Sequence, residues 1–360
     1  MAVTDNFSFQ RWWQSFSRQT LPTLGREIFN VSWMLFKLMI PVLIIVRILE
    51  AWGAIPVIAR FLEPLMTLVG LPEAMGLVLA TNLLTNIYAA MMVFFQLATD
   101  YPMTVAQVSI LGGMMLIAHS LPIEVRIVQM AGVRFVVALM MRLLTALIFG
   151  ILLFHIYDGL DWLQQPAELV WQAPVEQTSH LEWAWQQLQS FAMIVAVIAT
   201  LISLLRFLRW IHVERLMIFL LQPVLRLLGI RPEAASLTIV GMTLGLSFGG
   251  GLLIEESRKG HIDKKDIFAA MLLLSVCHSL IEDTLLIMVM GADISAALWF
   301  RLIFSLLLVA VVTRLLRYAS DEFWQKYLVT GKVASPNARS SEQEGADTTP
   351  SNHQEVAERG

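Results

Sequence analysis

The sequence predicts an all-α polytopic membrane protein built from two inverted-topology repeats, each holding a re-entrant hairpin and a broken helix. Three observations predict it: apolar runs of bilayer length, an internal repeat at nearly constant spacing, and a Lys/Arg distribution that changes side between the copies. Hydrophobic residues make up 57% of the 360 and charged residues only 15%, against about 25% charged in a soluble domain. Mean hydropathy is +0.68. Apolar runs of about 18 or more residues recur, and each can cross a hydrocarbon core about 30 Å thick. A net charge of −3 gives no basic surface for nucleic acid. The single cysteine, Cys277, excludes an intrachain disulfide or a thiolate cluster. No H-E-x-x-H is present, and the one G-x-S-x-G match, GLSFG at 245–249, lies in an apolar stretch; neither an enzyme nor a cofactor is expected.

The repeat is read from matched segments. Residues 62–73 are LEPLMTLVGLPE and residues 221–233 are LQPVLRLLGIRPE; residues 119–124 are HSLPIE and residues 278–283 are HSLIED. Gly132 matches Gly291, Arg142 matches Arg301, and Arg47 matches Arg206. The expected units are an amphipathic interfacial helix over 1–30 and a first repeat over 31–155. An acidic extracytoplasmic linker over 156–186, a second repeat over 187–318 and a polar, largely disordered tail over 319–360 follow. In the first unit Phe7, Phe9, Trp12, Trp13 and Phe16 would dip into the interface while Arg11, Arg18 and Arg26 face phosphates.

Orientation follows from charge, because Lys and Arg collect on the cytoplasmic side of short loops. Segment 156–186 has five acidic residues and no Lys or Arg, so it faces outward; both termini then face inward, in the cell (inner, cytoplasmic) membrane. The stretch 232–256 has basic flanks at both ends, Arg226 and Arg231 before it and Arg258 and Lys259 after. It should therefore enter and leave on one side, with its tip at GLSFGGG (245–251), where glycine disfavours a helix by about 1 kcal/mol per residue. The corresponding stretch 72–97 lies among Glu63, Glu73 and Asp100, which puts it on the opposite side. Arg47, near the outer end of the first helix, is the discordant charge, with Glu50 close by as a partner.

Polar groups inside a membrane are costly and usually functional. His119, Ser120 and Glu124 occupy a helix that Pro122 must break or kink; His278, Ser279, Glu282 and Asp283 are their counterparts. Asn82 and Asn86 mark one hairpin tip, and Thr243, Ser247, Gly249 and Gly250 the other. Arg142 and Arg301, each about two turns into a final helix, are expected as charge partners for the carboxylates. Broken helices expose unpaired N–H and C=O groups near mid-membrane, and paired imidazoles there can bind a solute, a metal or a proton. For a metal, the leading candidates are His119, His278 and Glu282, with Glu124 and Cys277 as further ligands of a metal permease. Each also has a plainer reading: histidines bonding between helices, asparagines capping half-helices, glycines serving close packing.

The proline-containing amphipathic stretch (FLEP, LLQP), the hydrophobic-Gly-hydrophobic step, the PEA, the interrupted hairpin and the broken helix together resemble the Gate, or nucleoside-recognition, domain. That domain occurs in concentrative nucleoside transporters, the ferrous-iron transport B protein and spore maturation proteins A and B. The resemblance covers about residues 31–318 and implies a substrate site at 81–86, 119–124, 243–251 and 278–283. The chain has no G-x-x-x-x-G-K-[ST] loop and so lacks the iron transporter's GTPase; it also lacks the extra helices of a full nucleoside transporter. The expected function is a transporter or permease for a small polar solute such as a nucleoside, ion- or proton-coupled. A divalent metal permease and a non-transporting membrane scaffold or assembly factor are the alternatives. The expected partners are the lipid bilayer and a small-molecule or ion substrate, with no nucleic acid; a homo-oligomer is compatible.

Overall fold

A computed structural model describes residues 21–53, 55–169, 180–211, 213–260 and 262–330. The expected interfacial segment before residue 21, linker residues 170–179 and the tail after 330 lie outside the described residues, as do the Arg47, Glu50 and Ser247 side chains. Among the described residues the fold is all-α. Two isolated antiparallel bridges, Thr104–Pro166 and Val133–Val329, are the only strand-like pairings.

The first half runs through α1 (Leu21–Ala51), α2 (Ile55–Leu68), α3 (Met75–Leu84), α4 (Ile87–Leu97), α5 (Val105–Ile117), α6 (Leu121–Met130) and α7 (Phe135–Gly159). The second runs through α8 (His180–Trp210), α9 (Val213–Leu227), α10 (Pro232–Leu244), α11 (Leu246–Lys259), α12 (Lys264–Val276) and α13 (Glu282–Val289). A π-turn (Ser295–Phe300) then leads into α14 (Arg301–Leu316). By length and apolarity α7, Leu188–Leu208 of α8 and Ser295–Leu316 can each cross a membrane. The pair α5–α6, bent by 41°, would be a fourth span if counted as one.

Several expected boundaries move. α1 runs unbroken across the 30/31 junction because neither Pro nor Gly stands there; Pro41 lies further inside it. The linker is shorter than 156–186, since α7 continues to Gly159 and α8 begins at His180. Part of the tail is ordered. Ser320 caps a short helix at Asp321–Phe323, and Trp324 is buried with its ring edge-on to Phe268 at 5.2 Å.

The GLSFGGG stretch also folds differently from expectation. Gly245 alone makes the break, at φ 96°, and Gly249–Gly251 are helical within α11. α10 and α11 fold back on each other so closely that a Cβ on Gly249 would fall 2.2 Å from Gly241 Cα. Gly249 thus serves a backbone-to-backbone contact with Gly241 between two helices.

The broken helices α5–α6 and α12–α13 run in opposite directions. Asp293 N, in the turn after α13, donates to Ser109 Oγ near the start of α5 at 2.8 Å. At the other end Lys264 Nζ, at the start of α12, donates to Thr330 O, and Thr330 N donates to Gly132 O in the turn after α6. The cores interleave accordingly. Leu286 and Ile287 of α13 and Met290 just after it pack into the apolar cluster of the first half, while Val125 and Val128 of α6 pack into that of the second.

The trailing end of each half touches the other half, the first by packing and the second by hydrogen bonds. After α7, the chain pairs with the start of α5 (Val105 N to Gln165 O, 2.9 Å; Ala167 N to Met103 O, 2.9 Å). Its Glu168 carbonyl would lie 3.2 Å from a Cβ on Gly291. After α14, residues 328–330 pair with Arg134 and Gly132 of the first half.

Candidate functional site at the two helix breaks

Two helix C-termini and the residues just beyond them build the site. α5 ends at Ile117, and Ala118 turns the chain with φ −132° and ψ 88°. α12 ends at Val276, and Cys277 takes nearly the same angles, φ −144° and ψ 77°. His119 and His278 follow. After them Ser120 and Ser279 adopt the left-handed conformation, φ 47° and 46°, which disfavours a non-glycine residue by roughly 1–2 kcal/mol. Beyond Ser120, Pro122 sits in the first turn of α6, where a missing N–H loses nothing.

The last carbonyls of a helix have no intrahelical donor, and here side chains supply one. Asn82 Nδ2 donates to Met115 O at 3.1 Å and Ala118 O at 2.8 Å, and Ser120 N returns a bond to Asn82 O at 3.0 Å. Ser120 Oγ donates to Thr85 O at 2.8 Å. In the second half, Leu280 N donates to Met242 O at 2.8 Å, and Ser279 Oγ faces Gly245 closely enough to leave no room for a Cβ there.

The histidines use the same carbonyls. Nδ1 of His119 lies 3.0 Å from Met115 O, and Nδ1 of His278 lies 2.7 Å from Leu274 O. A carbonyl only accepts, so both Nδ1 atoms carry the proton and both neutral Nε2 atoms present a lone pair. The two Nε2 atoms face each other at 3.2 Å. Glu124 Oε1 is 3.0 Å from Nε2 of His119 and 3.3 Å from Nε2 of His278. With both imidazoles neutral, three acceptor atoms thus converge on one point in a buried place, an arrangement that repels until a proton or a metal cation joins it. A tetrahedral ion bound at about 2.0–2.1 Å spaces its ligand atoms roughly 3.3 Å apart, and an octahedral one about 3.0 Å. The observed triangle lies across that range. His119, Glu124 and His278 therefore have the spacing of a metal-binding group.

Glu124 is held from behind by Arg142, which contacts Oε2 and is fully buried. Arg301 is equally buried but meets no carboxylate in the same way. Its Nη2 lies 3.4 Å from Thr284 Oγ1, and its Nε and Nη1 have no hydrogen-bond partner among the described residues. Glu282, expected among the metal candidates, is not in the triangle; Glu124 is. Glu124 aligns in register with Asp283, which is buried close to both histidines. Glu282 precedes Asp283 by one residue, about 100° around a helix, and turns toward Tyr88.

The other expected site residues whose side chains are described make contacts within the fold. Asn86 caps α4, its Oδ1 accepting from Ala89 N at 2.9 Å. Thr243 Oγ1 is bonded to carbonyls of its own helix, Ile239 and Val240. Gly249 packs on Gly241, and Gly250 lets Ile127 of α6 approach. The carbonyls of Met115 and Leu274 were not foreseen. Their signal was present, since a histidine just past a helix end can reach back four residues.

No family model matches the chain, and no solved structure matches it. Over 306 residues, 83% of this chain and 93% of the relative, it is 27% identical to YvoD of Bacillus subtilis (strain 168), described as an uncharacterized membrane protein. That likeness and the apolar helices agree: the chain is a helical membrane protein.

Proposed function

We propose that the protein is a transporter of the cell (cytoplasmic) membrane, with both termini inside, that moves a divalent transition-metal cation through the His119–Glu124–His278 site. The observation that carries this reading is the convergence of two imidazole lone pairs and one carboxylate oxygen within 3.0–3.3 Å of one another. Two nitrogens and one oxygen suit Mn²⁺, Fe²⁺, Co²⁺ or Zn²⁺. The Nδ1–carbonyl bonds hold both rings in orientation, as partners of metal-binding imidazoles do. Electrostatics favours the same cargo, since the Glu124 carboxylate faces both imidazoles. A nucleoside is less well served. Asn82 and Ser120 spend their donors on helix carbonyls, and the histidine rings stand only 5.0 Å apart.

In this reading the halves are inverted copies of a Gate-type unit, each with a hairpin (α3–α4, α10–α11) and a broken helix. The antiparallel course of α5–α6 and α12–α13 and the matched left-handed serines support it. Interrupted helices meeting at the midplane, between repeats of opposite orientation, are a common design for alternating access.

The test is titration of the purified protein with Zn²⁺, Mn²⁺ and Co²⁺ by calorimetry, alongside uptake of the same ions and of uridine into proteoliposomes. We expect one ion per chain, with binding and uptake both lost in His119→Ala and in His278→Ala. Ion uptake that survives the double substitution would sink the proposal. Uridine flux without metal binding would hand the site to a polar solute, and absence of all flux would favour a scaffold.

A further inference from the structure

Away from the helix breaks, the end of α9, the start of α12 and the end of α14 enclose a cleft of about 530 Å³ beside Trp324. Its charged lining is Lys265, Asp266, Arg314 and Arg317. Asp266 is already engaged by Arg231, and Lys265 pairs with Asp321 at 2.8 Å while lying 5.5 Å from the centre of the Trp324 ring. Arg314 and Arg317 are different: both are exposed and neither has a side-chain partner among the described residues. Two free guanidiniums at the mouth of a cleft make a fork suited to phosphate oxygens.

The surroundings say which phosphate. Leu307, Val311 and Leu315 are exposed to 61%, 53% and 70% and recur every fourth residue along α14, so they form one apolar stripe that runs beside Arg314. Leu227, at the cleft edge, is 83% exposed. A nucleotide or free phosphate has no use for such a stripe; an acyl chain does. Basic pockets between membrane helices on the side rich in Lys and Arg suit anionic headgroups.

We propose that this cleft binds one anionic phospholipid, its phosphodiester held by Arg314 and Arg317 and a chain lying along Leu307, Val311 and Leu315. Lys265, held by Asp321 beside Trp324, lines the same cleft.

The experiment is lipid titration of the full-length, delipidated protein in neutral detergent by native mass spectrometry, with phosphatidylglycerol, phosphatidylcholine and glycerol phosphate as ligands. We expect phosphatidylglycerol to bind and the other two to bind at least tenfold more weakly. The Arg314→Gln/Arg317→Gln variant should lose about thirtyfold in phosphatidylglycerol affinity, as removal of two interfacial cations implies. Arg314→Lys/Arg317→Lys should keep most of it, which separates loss of charge from loss of fold. Equal binding of phosphatidylcholine, or unchanged affinity in the glutamine variant, overturns the proposal. Binding of glycerol phosphate as tight as that of the lipid would overturn it too, by showing a phosphate site without a chain.

Discussion

Replacing Glu124 by Gln should destabilise the protein and abolish metal binding, and the two effects can be pulled apart through Arg142. The Glu124 side chain is 10% exposed and that of Arg142 is 0% exposed. Taking the charge off Glu124 leaves a guanidinium in the membrane core with no counter-charge in contact. Breaking a buried pair from one side costs about 3–5 kcal/mol, and because Gln can still accept a hydrogen bond the lower end applies, about 3 kcal/mol. Replacing Arg142 by Met is milder, about 1–2 kcal/mol, since the carboxylate keeps two imidazoles with which to share a proton or an ion. The double variant Glu124→Gln/Arg142→Met removes both charges, and it should return to within about 1 kcal/mol of the parent. Thermal unfolding in detergent, followed by tryptophan fluorescence, reads this cycle. Cobalt absorption reads the site. Arg142→Met should hold Co²⁺ more tightly, having lost a repelling charge, while Glu124→Gln and the stable double variant should hold none. If the double variant is no more stable than Glu124→Gln, or if Arg142→Met loses the ion as fully as Glu124→Gln does, the proposed roles are wrong.

Other substitutions probe the scaffold by the same unfolding measurement. Gly249→Ala drives a methyl into the Gly241 backbone and should cost about 1–3 kcal/mol. Gly251→Ala, with nothing within 4 Å, should instead stabilise α11 by about 1 kcal/mol, and equal behaviour of the two would refute the close helix contact. Ser279→Gly should stabilise by about 1 kcal/mol by relieving a left-handed serine, whereas Ser120→Gly should come out near zero because it also forfeits the bond to Thr85 O. Asn86→Ala removes the α4 cap and should cost about 1 kcal/mol.

Much of the site was legible because its cause is local and printed twice. HSLPIE and HSLIED each break a helix, and proline explains one of the breaks. The second has Ile281 where the first has Pro122, and it breaks nonetheless, with the same left-handed serine. That part was legible only through the repeat. What could not be read was register at the scale of one residue. Whether Glu282 or Asp283 is the second-half counterpart of Glu124 beside the histidines depends on 100° of helix rotation and on where each half-helix begins. The fate of the glycines was equally hidden, since a Gly run suits a loose tip and a tight crossing alike, and only the position of Gly241 decides. The cleft beside Trp324 was invisible because the segment that shapes it reads as polar tail.

The crossing of the trailing ends has a consequence for genetics. Residues 328–330 hydrogen-bond to the turn at Gly132, and the stretch 163–169 reaches both Thr104 and Gly291. A lesion near residue 329 should therefore show its symptoms in the first half of the polypeptide, and second-site revertants should be sought two hundred residues upstream rather than beside it. For the same reason neither half is a self-sufficient module: expressed alone, each would lack the closing latch that its sibling supplies.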